Sequence, residues 1–213
     1  MQYVKYDTEK YNFRELLSEI LERTDLENLH DSVDYPELFD MKTEQSTIYH
    51  KKFYESVRTS RFLDVYNQFI VDVAKPYFDN DKIVFQKVPT FRTQFIGNLS
   101  VGKWHKDSEY SHSVHEHNFF LPMTECVNTN AIWVESSPGK EDYFPMESNY
   151  GEYIIWDGAN CRHGNKVSSE SFTRVSFDFR AMKYIHYLEH EKLKNKSIHA
   201  SVNMVVGEYY DSV

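Results

Sequence analysis

Cysteine is almost missing: Cys126 and Cys161 are the only two in 213 residues. Two thiols cannot build the framework of bridges that staples a small secreted fold, so the expected setting is a reducing cytoplasm. Long apolar runs are missing as well. No stretch approaches the roughly 18 apolar residues that a membrane span needs. Met1 to Lys10 has no hydrophobic signal-peptide core. Positive charge is in deficit, with 24 Lys and Arg against 33 Asp and Glu, a net charge of −9. That disfavours a general nucleic-acid binder, which needs a basic surface, but leaves room for a small anionic substrate held by a few buried arginines. With only 7 glycines, a linker-rich or disordered chain is also disfavoured.

Aromatic residues are plentiful, at 16 Tyr and 15 Phe, and favour a thick β-rich core with ordered turns. The length is most simply one domain, 1–213. Its first part, 1–82, reads as a mainly helical layer. Asn12 is placed to cap Phe13 to Arg23, where Phe13, Leu16, Leu17, Ile20 and Leu21 recur at helical spacing. Gln45 to Arg58 looks amphipathic. Arg61 to Lys75 carries the clearest stripe, Phe62, Val65, Tyr66, Phe69, Ile70 and Val73, and Pro76 is expected to end it.

From Lys82 the pattern changes to short β runs between turn signals: Ile83 to Val88, Thr90 to Asn98, His117 to Pro122, Asn130 to Glu135, Glu152 to Asp157, Arg162 to Val167 and Thr173 to Met182. Strands after a helical block predict an α+β arrangement, a β-sandwich or barrel over 83–182 with the N-terminal helices packed on one sheet. In the extension 183–213, Tyr184 to Lys194 suits a helix and Ser201 to Tyr210 an edge strand.

The chemistry centres on Trp104-His105-Lys106-Asp107-Ser108. In an extended segment the side chains of His105 and Asp107 share a face, while Lys106 points away. A His-x-Asp pair alone is weak evidence of a metal. His163, far downstream in a β-like segment, completes two imidazoles and one carboxylate, the set that holds a non-haem Fe(II) on one face and leaves the other open. If Lys166 to Thr173 forms a hairpin, His163 and Arg174 pair across it at about 5 Å between Cβ atoms. Ser176 then shares the Arg174 face, and Val175, Phe177 and Phe179 turn toward the helices. A guanidinium and a hydroxyl make a good carboxylate receptor. Gln94 and Asn118 are candidates to touch a metal ligand or whatever the receptor binds. Arg92, Trp104, Tyr110, His112 and Trp133 are candidates for the substrate wall. His115 and His117 offer a rival cupin-type pair, and one of His112, His115 and His117 is expected to line the pocket.

His105-x-Asp107, His163 and Arg174-x-Ser176 resemble the Fe(II)/2-oxoglutarate-dependent oxygenases over about residues 90–182. More narrowly, GKWHKDSEYSHS, HNFFLPMTE, NAIWVESSPG, WDGANCRHGN and TRVSFDFR resemble StrG-type proteins of streptomycin and sugar-rich biosynthetic clusters. The resemblance implies a double-stranded β-helix (a cupin-like jelly roll) and a cytoplasmic dioxygenase that uses Fe(II), 2-oxoglutarate and O2. By this resemblance His105, Asp107 and His163 hold the metal, while Arg174 and Ser176 bind the distal carboxylate of 2-oxoglutarate. It implies hydroxylation of a small polar metabolite, sugar- or aminocyclitol-related by family context, with release of succinate and CO2. Asp107 sets the chain apart from the halogenases of this type, whose counterpart is Gly or Ala. The alternatives are a non-catalytic jelly-roll module that binds sugar or serves structure, and a cupin-type metalloenzyme using His115 and His117.

Overall fold

The computed structural model describes residues 1–35, 38–40, 42–191 and 203–213. The N-terminal layer contains β1 (Gln2–Lys5) and three helical segments: α1 (Phe13–Leu21), α2 (Ile48–Ser56) and α3 (Arg61–Phe69). Helical spacing in α1 puts Phe13, Leu16, Leu17 and Leu21 on one buried face. Asn12 stands at its N-terminus, but its side chain makes no capping hydrogen bond. The Thr47 hydroxyl does cap α2, accepting from the His50 N–H at 3.3 Å.

Helix α3 continues through a π-helical turn (Ile70–Ala74) into the short α4 (Lys75–Tyr77), so the helix outruns Pro76 by one residue. The hydrogen-bond register already changes in that π turn, and a proline without an N–H is tolerated in the first turn that follows. β1 was not foreseen in the helical layer. It is a short, largely exposed edge strand, too brief to show a reliable period of two.

Two antiparallel sheets follow. The larger contains β2 (Ile83–Gln86), β3 (Thr90–Gln94), β4 (His117–Pro122), β7 (Glu152–Trp156), β9 (Arg174–Lys183) and β10 (Tyr210–Ser212), in the order β1-β7-β4-β9-β2-β10, with β3 also on β9. The smaller, β6-β5-β8, is built from β5 (Ile132–Val134), β6 (Phe144–Met146) and β8 (His163–Asn165). A helix, α5 (Tyr184–Glu191), leaves the end of β9. The expected helix end at 192–194 and the start of the expected tail strand at 201–202 lie outside the described residues. Of the expected tail strand, the described residues 203–209 form turns and single bridges, and only Tyr210 falls in the strand found, Tyr210–Ser212, which pairs with β2.

Strand β9 is the spine. Alternation sends Val175, Phe177, Phe179 and Ala181 into the core shared with the helices. The Phe177 ring meets Phe13 at 5.0 Å and Phe62 at 5.3 Å, both edge-on. The opposite side bears Arg174, Ser176, Asp178 and Arg180, facing the smaller sheet. A second apolar cluster joins the sheets, with Phe120, Ile154 and Trp156 from the larger and Val134 and Met146 from the smaller, plus Cys126 and Cys161. Both cysteines are free and buried. Burial pushes their thiols up, to about 12 for Cys126 and about 11 for Cys161, as expected of inert filler rather than nucleophiles.

The expected hairpin between His163 and Arg174 is corrected here. His163 pairs with Val134 of β5, and Arg174 pairs with Gln94 of β3. The segment 166–173 therefore crosses from one sheet to the other. His163 and Arg174 face the interior from different sheets.

Candidate metal and anion site

The segment that follows β3 returns to the smaller sheet, where His105 forms an isolated antiparallel bridge to His163 of β8. His105 and His163 exchange both backbone hydrogen bonds at 2.9 Å. Lys106 is extended, and Asp107 opens a 3-10 turn (Asp107–Tyr110) with its N–H donating to the Gly158 carbonyl at 3.0 Å. This geometry brings one ligand atom each from His105, Asp107 and His163 within 4.8 Å of one another. Asp107 Oδ1 lies 3.4 Å from His105 Nε2 and 3.6 Å from His163 Nε2.

The remaining polar atoms of the trio are tied down. His105 Nδ1 bonds the Lys103 carbonyl at 2.8 Å, and His163 Nδ1 bonds the Cys161 carbonyl at 3.0 Å. A carbonyl can only accept, so each Nδ1 carries the proton and each Nε2 presents its lone pair to the centre. Asp107 Oδ2 accepts from Asn118 Nδ2 and from Arg180 Nε, both at 2.7 Å, which leaves Oδ1 for the centre. Burial pushes the Asp107 carboxyl up, but Arg180 and the neighbouring His105 and His163 outweigh it and hold it well below the usual carboxylate range. Burial holds His163 down, to about 4. Both side chains are therefore in their ligating protonation states near neutrality. Two imidazole nitrogens and one carboxylate oxygen, each oriented by a second hydrogen bond, suit a divalent transition metal.

Two glycines are required by this arrangement. A Cβ at Gly158 would fall 2.6 Å from the Asn118 amide, and one at Gly164 would fall 2.6 Å from the Trp104 ring. Either would push on a group beside a ligand.

A cavity of about 450 Å³ opens beside the trio, lined by His105, Asp107, Tyr110, His112, Arg92 and Arg180 among others. The Tyr110 ring stands edge-on to His105 at 4.9 Å. Of the three clustered histidines, His112 lines this cavity, bonded to the buried Glu116 at 2.8 Å. His117 instead bonds the Tyr77 hydroxyl, and His115 stacks on His186. The rival pair is thus not assembled: the ligand atoms of His115 group with those of His186 and Glu189, and His117 is not part of that group.

Arg174 and Ser176 are buried and are not among the residues lining that cavity. Arg174 donates to the Asn130 carbonyl at 2.8 Å, while its Nε and the Ser176 hydroxyl have no hydrogen-bond partner. Burial pushes Arg174 down to about 10. A buried guanidinium without a carboxylate is costly, and two polar atoms without partners beside it fit a receptor for an anion.

Three expectations are corrected. Gln94 is consumed by structure: its amide donates to the Lys166 carbonyl at 2.7 Å and the Asn98 carbonyl at 3.1 Å. Trp133 faces outward on β5, with Lys166 3.1 Å over its ring and its indole N–H on the Asn128 carbonyl. Trp104 packs on Gly164 and edge-on to Tyr143 at 4.7 Å, behind the metal trio and not in the cavity. The aromatic residues on β5 and before His105 have the wrong strand parity for the interior. What went unrecognised was Arg180, with Gln86 and Asp178 around it at 3.3 and 3.4 Å. The signal was present, since Arg180 has the same parity as Arg174 and Ser176.

No protein-family model matches this chain. It is 31% identical to the streptomycin biosynthesis protein StrG of Streptomyces griseus over 210 residues, 99% of this chain and 97% of that protein. Solved structures are more remote. A nickel complex of the non-heme monooxygenase ThoJ is 11% identical with a TM-score of 0.45, over 85% of this chain and 73% of that one. The non-heme alpha-ketoglutarate-dependent epimerase SnoN from nogalamycin biosynthesis is 14% identical with a TM-score of 0.45, over 56% of each chain. CytC3 with Fe(II) and alpha-ketoglutarate is 13% identical with a TM-score of 0.43, over 86% and 72%. Likeness at this level establishes neither fold nor chemistry for this chain.

Proposed function

The chain belongs to the family of the streptomycin biosynthesis protein StrG, and from that premise we propose that it is an Fe(II)- and 2-oxoglutarate-dependent oxygenase built on a double-stranded β-helix. Its substrate in this reading is a small polar metabolite related to sugars or aminocyclitols, which it hydroxylates. The observation that carries the reading is the trio itself: His105 Nε2, His163 Nε2 and Asp107 Oδ1 converge, and each ligand's other polar atom is already engaged. The two facing antiparallel sheets support the β-helix.

His105, Asp107 and His163 would hold the metal from one side. Iron with 2-oxoglutarate and O2 supplies hydrogen abstraction from the substrate, with release of succinate and CO2. The chain's own residues do the positioning. Asn118 and Arg180 fix the Asp107 carboxylate so that one oxygen stays available. Arg174 and Ser176 would receive the distal carboxylate of 2-oxoglutarate, where an anion would relieve an unpaired buried cation. Arg92, directly opposite Ser176 on β3, lines the cavity and links that receptor to it. Tyr110 and His112 form part of the wall over the open side of the trio. A non-catalytic sugar-binding module has no use for such a cation, which disfavours that alternative.

Anaerobic addition of Fe(II) and 2-oxoglutarate tests the assignment. The expected result is a visible iron-to-ketoacid charge-transfer band that disappears in the His105→Ala, Asp107→Ala double variant. A wild-type protein with no band, or a band that survives the double substitution, would refute it.

A further inference from the structure

The cavity beside the trio is strongly cationic, although the chain as a whole carries a net charge of −9. Lys42, Arg58, Arg92, Lys103 and Arg180 all line it, against only two carboxylates, Glu44 and Asp107. Both carboxylates are already committed. Glu44 is buried and accepts the Gly102 N–H at 2.7 Å, holding the loop that carries Lys103. Asp107 belongs to the metal trio and is bonded by Arg180.

The cations fall into two groups. Arg92 and Arg180 have acidic partners, Asp178 of β9 at 3.8 Å from Arg92 and Asp107 of the metal trio at 2.7 Å from Arg180. Lys42, Arg58 and Lys103 have no ion-pair partner among the described residues. They come from three separate segments: the loop before α2, the 3-10 turn after it (Val57–Thr59) and the loop after β3. Three exposed cations without an ion pair, brought to one mouth from distant parts of the chain, add their fields there and favour an anion. The rest of the wall is polar and aromatic, with Gln45, Gln86, Tyr54, Thr90 and Tyr209, which suits a hydroxylated ring.

We propose that the substrate is a phosphate monoester of a small polyhydroxylated molecule, with its phosphate held at the cavity mouth by Lys42, Arg58 and Lys103 and its ring lying toward the metal trio. This deepens the oxygenase reading and rests on it for the direction in which the ring points. A phosphate dianion matches a cluster of several donors from different sides better than a single carboxylate does. Anchoring the charged end at the mouth leaves the hydroxylated end facing the open side of the trio. Orientation of this kind by a remote group is how binding energy is turned into positioning.

The test compares glucose 6-phosphate with glucose as probes, titrated calorimetrically into the metal-free 213-residue chain, so that neither iron nor turnover enters the reading. The expected result is at least about tenfold tighter binding of the phosphorylated probe, the least that one charge-assisted contact contributes. Inorganic phosphate should compete. In the Arg58→Gln, Lys103→Gln double variant, with melting temperature checked, the preference should vanish while the ferrous 2-oxoglutarate band is retained. Equal binding of the two probes by the wild type, or a preference that survives the double variant, would overturn the proposal. So would loss of the band in that variant at unchanged stability, which would assign these cations to the cosubstrate. If instead the wild type gives no band but the phosphate preference holds and depends on Arg58 and Lys103, the oxygenase reading fails and the anion site stands.

Discussion

The two faces of β9 are built from adjacent residues and do opposite work. On one, Val175, Phe177, Phe179 and Ala181 are buried against α1, α3 and β4 in a dry aromatic layer. On the other, Arg174, Ser176, Asp178 and Arg180 are buried among polar atoms, several without partners. The apolar face gains free energy by leaving water. The polar face loses it, and a fold retains that loss only where the groups are used for something else. Stability should therefore reside on one face and ligand binding on the other, with little overlap.

The largest effect is expected from the apolar face. Phe177→Ala should cost about 3–5 kcal/mol of folding stability, measured by urea unfolding, because it removes a ring packed on three others and leaves a cavity. The polar face should respond in the opposite sense. Arg174→Gln should change stability by less than about 1 kcal/mol, because a neutral amide replaces an unpaired buried cation. Its affinity for 2-oxoglutarate should nevertheless fall by roughly 2–3 kcal/mol, about a hundredfold. A large stability loss with intact affinity would make Arg174 a structural residue.

Asn118→Ala tests the support of the metal trio. It removes one of two donors to Asp107 Oδ2, so metal affinity should drop by about 10- to 100-fold with Arg180 still in place. Competition against a chelator would measure it.

A pH-dependent effect concerns His50 in the helical layer, which burial holds down to about 3 against an ordinary value of 6.5. Below pH 6.5 the unfolded chain takes up a proton that the folded protein refuses. The stability this group contributes is therefore full above 6.5 and is lost as pH falls toward 3, at up to about 1.4 kcal/mol per pH unit. Urea midpoints at pH 7 and pH 5 should converge in His50→Gln relative to wild type.

How much of this was legible depends on the range of each interaction. Period-two alternation places His105 with Asp107, and Arg174 with Ser176, without knowledge of the fold. The same rule sorts Phe177 and Phe179 to the helices. What alternation cannot say is which strand lies beside which. The assumed pairing of His163 with Arg174 rested on a short loop, whereas 166–173 crosses between sheets. Trp104 and Trp133 were candidates for the substrate wall, but each packs on backbone and loops behind it. Arg180 stood in plain view within TRVSFDFR. Its role depends on Asp107, which comes near only through the pairing of β4 with β9 and the bond to Asn118.

The most direct measurement is a comparison of two cosubstrates on two proteins. Fe(II)-loaded wild type and Arg174→Gln are titrated anaerobically with 2-oxoglutarate and with 2-oxobutyrate, which lacks the distal carboxylate. The account predicts that the wild type prefers 2-oxoglutarate by about a hundredfold and that the variant has nearly lost the preference. Equal affinity of the wild type for both acids, or a preference undiminished in Arg174→Gln, would contradict it.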